Sequence, residues 1–395
     1  MPQPSPEDHT LPTDSPTRVV IIQPSLAKYR VPVYRMLAQE PGIDLKVVYG
    51  KDPGVPNVEP DGFEASFEPH RHLGIGRRRP FVWQPAQLRY ADPRLADVMI
   101  TVWNSRWLSL LLALRKARKR GVRTVVWGHG YSKQESPTRA RLRKRVGGMA
   151  DAMLFYSRRV ADRYIEQGVD PTKVFVAPNG LDQEPIQAAR EVWLATPDRL
   201  AVFRREQNVP EEAEPILYVS RFDPANRVDL LLHAVARLAG GRPNLRVHLV
   251  GKGEPEMTRL QNLASELGIE DRLRFLGPIY TEDELAPWFL TARAFCYPDN
   301  IGLSLHHAMG YGLPVVTGDN AATQNPEYEA LVPGENGLIY PAGDADGLAD
   351  SLNKLLSEER LADRLGQAAL QTARTRYNLP NMCRGFLEAI RAKAD

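Results

Sequence analysis

The stretch Cys296 to Val316, CYPDNIGLSLHHAMGYGLPVV, concentrates groups that can do chemistry. Asp299 offers a carboxylate, Gly302-Leu303-Ser304 a tight turn ahead of a helix-like run, and His306-His307 two imidazoles just inside that run. A turn that opens a helix presents N–H groups with no intrahelical partner, and the peptide dipoles favour an anion there. Ser304 is a good N-cap by residue type. Adjacent helical residues point about 100° apart, so at most one histidine faces a ligand at that turn. By residue type and helix geometry alone, either His306 or His307 can be that one.

Other segments carry complementary chemistry. Ser220-Arg221-Phe222 ends a strand-like run, and Asn226-Arg227 follows. A guanidinium there can hold a diphosphate through planar, charge-assisted hydrogen bonds, or it can pair with Asp223 or Asp229 at the surface. Gly251-Lys252-Gly253-Glu254 lies between a strand and a helix. Its glycines allow either a plain tight turn or a close backbone approach to phosphate, and neither a Walker sequence nor a full Gly-x-Gly-x-x-Gly is present. His129, in Trp127-Gly128-His129-Gly130, ends another strand as a site or structural histidine, and Lys28 and Arg30 follow the first strand. Asp344-Ala345-Asp346 reads as helix capping rather than as a metal ligand pair.

These side chains need a frame to position them. Strands are predicted at 18–24, 44–50, 97–103, 123–130, 151–157 and 173–180, then at 215–221, 245–253, 273–277, 292–298, 313–319 and 336–341. Helical patterns lie between them, including Val228–Leu238, Glu256–Leu267, Thr281–Phe289 and Leu305–Tyr311. This alternation is the signature of parallel sheets with helical crossovers, and the polar break from Leu181 to Pro215 divides it in two. Two Rossmann-like α/β domains in tandem result, with a cleft between the carboxyl ends of their strands. From Ala345 onward the chain reads as helices, interrupted by Pro380 and closed by a last helix at Met382–Lys393.

At 395 residues the chain exceeds one compact core, and its 43% hydrophobic composition supplies two. Cys296 and Cys383, far apart, form neither a zinc spacing nor a disulfide framework, so a reducing, cytoplasmic setting is expected. Residues 1–17 lack the basic start and apolar centre of a secretory signal and read as a disordered tail. The longest apolar run, Trp107 to Leu114, is far shorter than the roughly 20 residues of a spanning helix. Net charge is only +3, yet thirteen Lys/Arg and one acid, Glu135, fall between Arg106 and Arg145. That excess, taken with Arg115–Arg145, is either a solvated helix face or an attraction to an anionic membrane surface or a phosphate-bearing acceptor. With no aromatic platform or binding motif beside it, nucleic acid is not the expected partner.

Taken in order, these motifs resemble glycosyltransferase family four, also called group 1, from about Arg123 to the end. The resemblance rests on Pro178–Asp182, Ser220-Arg221-Phe222, Gly251–Gly253, Phe275-Leu276-Gly277, Pro298–Leu303, His307–Val315 and Gly334–Leu338. It implies the GT-B fold, with a disordered tail at 1–17, an acceptor-side domain at 18–185, a linker and nucleotide-sugar domain at 186–375, and a helix at 376–395 returning to the first domain. It also implies retaining, metal-independent transfer of a sugar from a nucleotide-diphosphate donor to a hydroxyl of a glycan, lipid-linked or small-molecule acceptor, with no cofactor. Arg221, Asp299 and His129 then take catalytic positions. Arg227, Gly251, Gly253, Gly302, Leu303, Ser304 and His307 take donor positions, and Lys28 and Arg30 acceptor positions.

The sequence departs from the family at two points. The family's Glu-x7-Glu becomes Asp299 and His307, and its usual lysine falls at Asn226, beside Arg227. A nucleotide-sugar epimerase or hydrolase, or a non-catalytic nucleotide-sugar-binding subunit, would use the same architecture.

Overall fold

The computed structural model describes residues 15–52, 54–75, 78–133 and 136–392. In the first half, β-branched and aliphatic runs form strands β1 (Thr17–Gln23), β2 (Ile43–Tyr49), β3 (Glu64–Phe67), β4 (Arg71–Ile75), β5 (Arg78–Trp83), β6 (Val98–Val102), β7 (Arg123–Gly128), β8 (Ala152–Phe155) and β9 (Val174–Val176). Seven of them build a parallel sheet in the order β3-β2-β1-β6-β7-β8-β9, while β4 and β5 pair antiparallel beside it. The second half supplies β10 (Glu214–Val219), β11 (Leu245–Val250), β12 (Leu273–Gly277), β13 (Ala294–Cys296), β14 (Val315–Gly318) and β15 (Gly337–Tyr340). Their order, β12-β11-β10-β13-β14-β15, repeats the same logic.

In both sheets the strand order reverses beside the first strand, between β1 and β6 and between β10 and β13. A parallel sheet opens a crevice beyond its carboxyl ends at such a reversal, because neighbouring crossovers leave to opposite faces. Register follows from burial: Val19, Ile21, Val47 and Ile100 are fully or almost fully enclosed, as two-sided cover by helices requires.

Helices Glu184–Leu194 and Pro197–Glu206 fill the polar break. They pack on the second domain, where Ile186 and Trp193 join its core. The last helix, Leu379–Arg391, begins earlier than the sequence pattern indicates. Asn378 caps it, accepting from the Asn381 N–H at 2.9 Å, and Pro380 sits in the first turn, where its missing N–H costs nothing. Pro380 therefore starts this helix instead of interrupting one, and Lys393 lies outside the described residues. Leu379, Met382, Cys383, Phe386 and Ile390 bury into the first domain's core, with Phe386 edge-on to Trp127 at 4.6 Å. A buried aromatic of this kind contributes about 2 kcal/mol, so the helix ties the second domain's end to the first domain. Of the tail expected at 1–17, Thr17 belongs to β1, and residues 1–14 lie outside the described residues. The strands β3 to β5 have no counterpart in the sequence reading, since HLGIGRRRP and EASF lack clean alternation.

Candidate active site

The second domain's switch point gathers the loops after β10 and β13. Asn226 joins them: its Nδ2 donates to the Tyr218 hydroxyl at 2.9 Å and the Arg221 carbonyl at 2.8 Å, and its Oδ1 accepts from Asn300 Nδ2 at 2.8 Å. Its carbonyl also accepts from the Asp299 N–H at 3.2 Å. The residue at the lysine position is thus a buried, fully bonded brace between loops and offers no cation. Arg221, by contrast, is exposed, and no described residue offers its guanidinium a hydrogen bond or ion pair.

Arg227 does not stand free for a diphosphate, contrary to expectation. It occupies a left-handed position with φ of 52°, and Asp229 grips its guanidinium in a fork at 3.0 and 3.1 Å. That hydrogen bonding, more than burial, holds its pKa above the ordinary arginine value. Asp299 Oδ1 accepts from the Thr323 hydroxyl at 2.6 Å and from the Asn300 N–H at 2.8 Å. Asn300 takes a φ of 61°, where a short amide side chain is tolerated.

Two glycine sites separate by cause. A Cβ on Gly251 would stand 1.8 Å from the Ser220 carbonyl oxygen, and one on Gly253 2.2 Å from that of Phe222. Loop-on-loop packing is therefore enough to require glycine at both positions, whatever else their backbone contacts. A Cβ on Gly302 meets nothing nearer than Asn325 Nδ2 at 3.7 Å. The protein itself does not demand glycine there. Ser304 is not the cap: it is the first residue of the helix Ser304–Gly310, behind Leu303 at the N-cap position.

His307 also corrects its expectation. Its Nε2 lies 2.8 Å from Glu282 Oε1, and Tyr311 donates to the same oxygen at 2.5 Å. Burial raises the Glu282 pKa, but the bonds from His307 and Tyr311, with the charge of Lys28 opposite, leave it below the usual glutamate value. His306 is fully buried against Tyr377, both ring nitrogens unpartnered, and burial pushes its pKa down to about 3. It is a core residue.

The first domain's switch point holds a cavity of about 680 Å³. Gln23, Trp103, His129 and Tyr156 are among its walls, from the ends of β1, β6, β7 and β8. His129 is an exposed residue of this wall. Surrounding protein, then the charges of Arg30, Lys133 and Arg143, lower its pKa to about 4, so it is neutral at physiological pH. Lys28 is not in the cavity wall; it faces Glu282 across the cleft. Arg30 is buried instead of free for a ligand: it stacks on Trp127 at 4.6 Å and Tyr156 at 5.0 Å and donates to Asn179 Oδ1 at 2.9 Å. Asn179 in turn donates to Glu327 of the second domain, so the pair brackets the domain junction. Lys133 spans the cleft too, bonding Asn300 Oδ1 and the Thr323 carbonyl. Glu282 and Lys133 were not singled out in sequence, because neither stands at a spacing that marks it, and Asn179 stood only within the Pro178–Asp182 motif, with no role of its own. Asp344 caps the helix Ala345–Ser357 by accepting from the Asp346 N–H at 3.0 Å.

Two Rossmann-like domains with facing switch points, joined by a returning C-terminal helix, define the GT-B class. Comparison with known proteins agrees: residues 201–372 match the family described as glycosyl transferases group 1, and residues 33–185 match glycosyltransferase family 4. The chain belongs to this glycosyltransferase family. It is similar to D-inositol 3-phosphate glycosyltransferases, 31% identical over 58% of this chain and 50% of the relative from Streptomyces bingchenggensis. With that from Frankia alni it shares 29% identity over 76% of this chain and 75% of the relative. The chain spans about half the length of most curated relatives it matches. Among solved structures, Anabaena HepE in complex with UDP superposes with a TM-score of 0.72 at 17% identity, covering 94% of this chain and 99% of that one. Sucrose-phosphate synthase from Thermosynechococcus elongatus does so with a TM-score of 0.68 at 19% identity, covering 95% and 98%.

Proposed function

We propose that the chain transfers a sugar, with retention and without a metal, from a nucleotide-diphosphate donor to an acceptor hydroxyl. The observation that carries this reading is the pairing of Gly302, where none of the described residues requires a glycine, with the guanidinium of Arg221, unpartnered among those residues, at the same switch point. A bare backbone turn and a free fork donor suit a diphosphate. As the bond to the donor sugar breaks, negative charge grows on the leaving diphosphate, and Arg221 with the N–H groups at Gly302–Ser304 stabilises it. The acceptor hydroxyl enters from the first domain's cavity, where neutral His129 can accept a hydrogen bond from it. The related fold of HepE was solved with UDP, which makes UDP the first donor nucleotide to test.

A thermal-shift screen of UDP, GDP, ADP and dTDP sugars tests donor binding, since a preferred ligand stabilises the fold by mass action. A turnover assay with and without acceptor completes the test. Sugar epimerised or hydrolysed at turnover rates without acceptor overturns the transferase reading, and donor binding without transfer to any acceptor favours a binding subunit.

For location we propose the cytoplasmic face of a membrane, in the synthesis of a polysaccharide or lipid-linked glycan. Leu108 and Leu112, 42% and 44% exposed, lie on one face of the helix Leu108–Arg120 with Arg115 and Lys119. Apolar and basic groups in that arrangement suit an anionic interface. Among the described residues no helix is long and apolar enough to cross a membrane. Binding to anionic vesicles that weakens as salt rises supports this placement, and no binding at low salt removes it.

A further inference from the structure

The loop after β7 is anchored in the first domain. The Gly130 carbonyl accepts from the Tyr164 hydroxyl at 2.7 Å, and a Cβ at Gly130, whose φ is 69°, would stand 2.7 Å from the Phe155 ring. His129 of this loop lines the acceptor-side cavity, but Tyr131 and Lys133 reach into the second domain. The Tyr131 hydroxyl donates to the Gln324 carbonyl at 3.4 Å, and the Lys133 ammonium donates to Asn300 Oδ1 and the Thr323 carbonyl. Those acceptors belong to the two segments that hold Asp299. The Thr323 hydroxyl and the Asn300 N–H both bond Asp299 Oδ1, and buried Gln324 accepts from the Ile301 N–H at 2.7 Å. Asn300 Nδ2 extends the chain of bonds to Asn226, which holds the Arg221 carbonyl. We propose that Lys133 is a positioning residue: by bonding Asn300 and Thr323 it fixes Asp299 on the donor side and His129 on the acceptor side in one register.

The chemistry suits this task. Both acceptors of the ammonium are neutral, and among the described residues no carboxylate pairs with it, so its charge strengthens the two bonds that cross the cleft. Partial burial, which lowers the Lys133 pKa against the pull of Asp299 and Glu327, strengthens them further. Arg30, Asn179 and Glu327 also join the domains, yet none of them bonds Asp299, Asn300 or Thr323. Among the described residues, Lys133 is the first-domain side chain that bonds Asn300 and Thr323. Transfer needs the donor carbon and the accepting oxygen aligned, and a misplacement of about 1 Å costs on the order of 10²-fold in rate. A lysine that ties the two sides together therefore acts on the rate more than on the binding of either substrate.

This inference rests on the transferase reading of the cleft, with His129 and Asp299 on its two sides. It is tested on the full chain with Lys133→Met, which keeps the stem and removes the donors, and with Lys133→Arg, which restores them. For Lys133→Met, kcat with the donor and acceptor that the parent turns over is expected to fall about tenfold or more, while donor KM and the Kd for UDP stay within about threefold. Amide hydrogen exchange over residues 297–303 and 320–326 is expected to rise about tenfold, as loss of a charge-assisted hydrogen bond does, with exchange in β11 unchanged. Lys133→Arg recovers most of both. A parental kcat with unchanged exchange overturns the proposal. So does a loss of UDP affinity that matches the loss of kcat, which places the ammonium on the donor itself. Exchange that rises alike in both domains overturns it as well, because Lys133 then supports the fold in general. If the parent turns over no nucleotide sugar, the transferase reading falls, and exchange alone decides whether Lys133 sets the Asp299 segment. If the parent transfers sugar and Lys133→Met matches it in rate and exchange, this inference falls and the transferase reading stands.

Discussion

His307 Nε2 stands 2.8 Å from Glu282 Oε1, and since an ionised carboxylate only accepts, the imidazole carries its proton on that nitrogen. The position where the family pattern has a glutamate therefore receives a carboxylate from the neighbouring helix, Glu282–Thr291. Sequence reasoning alone expects His307→Glu to retain or strengthen donor affinity. The geometry adds a cost in stability: two carboxylates would then share a partly buried site, and Tyr311 already donates to one of them. His307→Glu is expected to lower stability by about 1–3 kcal/mol, and Glu282→Gln in the same chain to restore most of it. Thermal unfolding of the single and double variants measures this coupling. A single variant as stable as the parent shows that Glu282 turns away freely.

Arg221 and Arg227 test the assignment of the free cation. Arg221→Ala removes a guanidinium with no partner among the described residues, so folding should be unaffected while transfer falls about 10²–10³-fold. Arg227→Ala releases Asp229 from its fork and should cost stability of up to about 1 kcal/mol at this partly exposed pair, with a much smaller effect on transfer. Equal losses of activity from the two would place Arg227 in the cleft.

Much of this fold was legible because its strands are short, aliphatic and bounded by Gly, Pro or Asn, and because their alternation with helices permits few topologies. The site was legible as a set of loops but not as a set of roles. Arg30, Gly251 and His307 stand in the expected segments, yet each is committed to a partner from another segment: Asn179, Ser220 and Glu282. Such pairings, between residues 149, 31 and 25 positions apart, are set by tertiary packing and leave no local pattern. The reach of Lys133 to Asn300 and Thr323 is invisible for the same reason: a charge run reads alike whether one of its members spans a cleft or meets solvent.

Gly251 and Gly302 give contrasting alanine variants. At Gly251 the added methyl would overlap the Ser220 carbonyl at 1.8 Å, and the two loops cannot both keep their places. Gly251→Ala should lose more than about 3 kcal/mol, or fail to fold. At Gly302 the space is open, so Gly302→Ala should fold with nearly unchanged stability while weakening UDP binding, because the methyl stands where a phosphate would approach the backbone. Unchanged nucleotide affinity in a folded Gly302→Ala variant would remove this turn from the donor site.

The domain bracket makes a prediction about graded substitutions. Glu327 is buried, its pKa raised by that burial, and it accepts from Asn179, which accepts from Arg30. Glu327→Gln keeps an acceptor for Asn179 and should change stability by less than about 1 kcal/mol. Arg30→Ala removes a stacked, buried guanidinium and leaves Asn179 with an empty acceptor, so a loss of about 3 kcal/mol or more is expected. Denaturant unfolding distinguishes them, and equal losses would show that the carboxylate charge itself holds the domains.

Acid should weaken the fold through its buried imidazoles. Burial lowers the pKa of His306 to about 3 and, with nearby arginines, that of His248 to about 4, whereas both titrate near 6.5 when unfolded. Between those values the unfolded chain binds more protons than the folded one, so stability falls as pH drops from about 6.5 toward 4 and is fully present above that window. His306→Leu replaces an imidazole whose nitrogens have no partners by an apolar side chain of similar size. It should add about 1 kcal/mol at pH 7 and flatten the decline below pH 6.5, because one of the groups that must be held neutral is gone. Unfolding followed at pH 7 and pH 5 reads both effects; a variant with the parent's pH slope would show that His306 finds a partner in solution that shields it from desolvation.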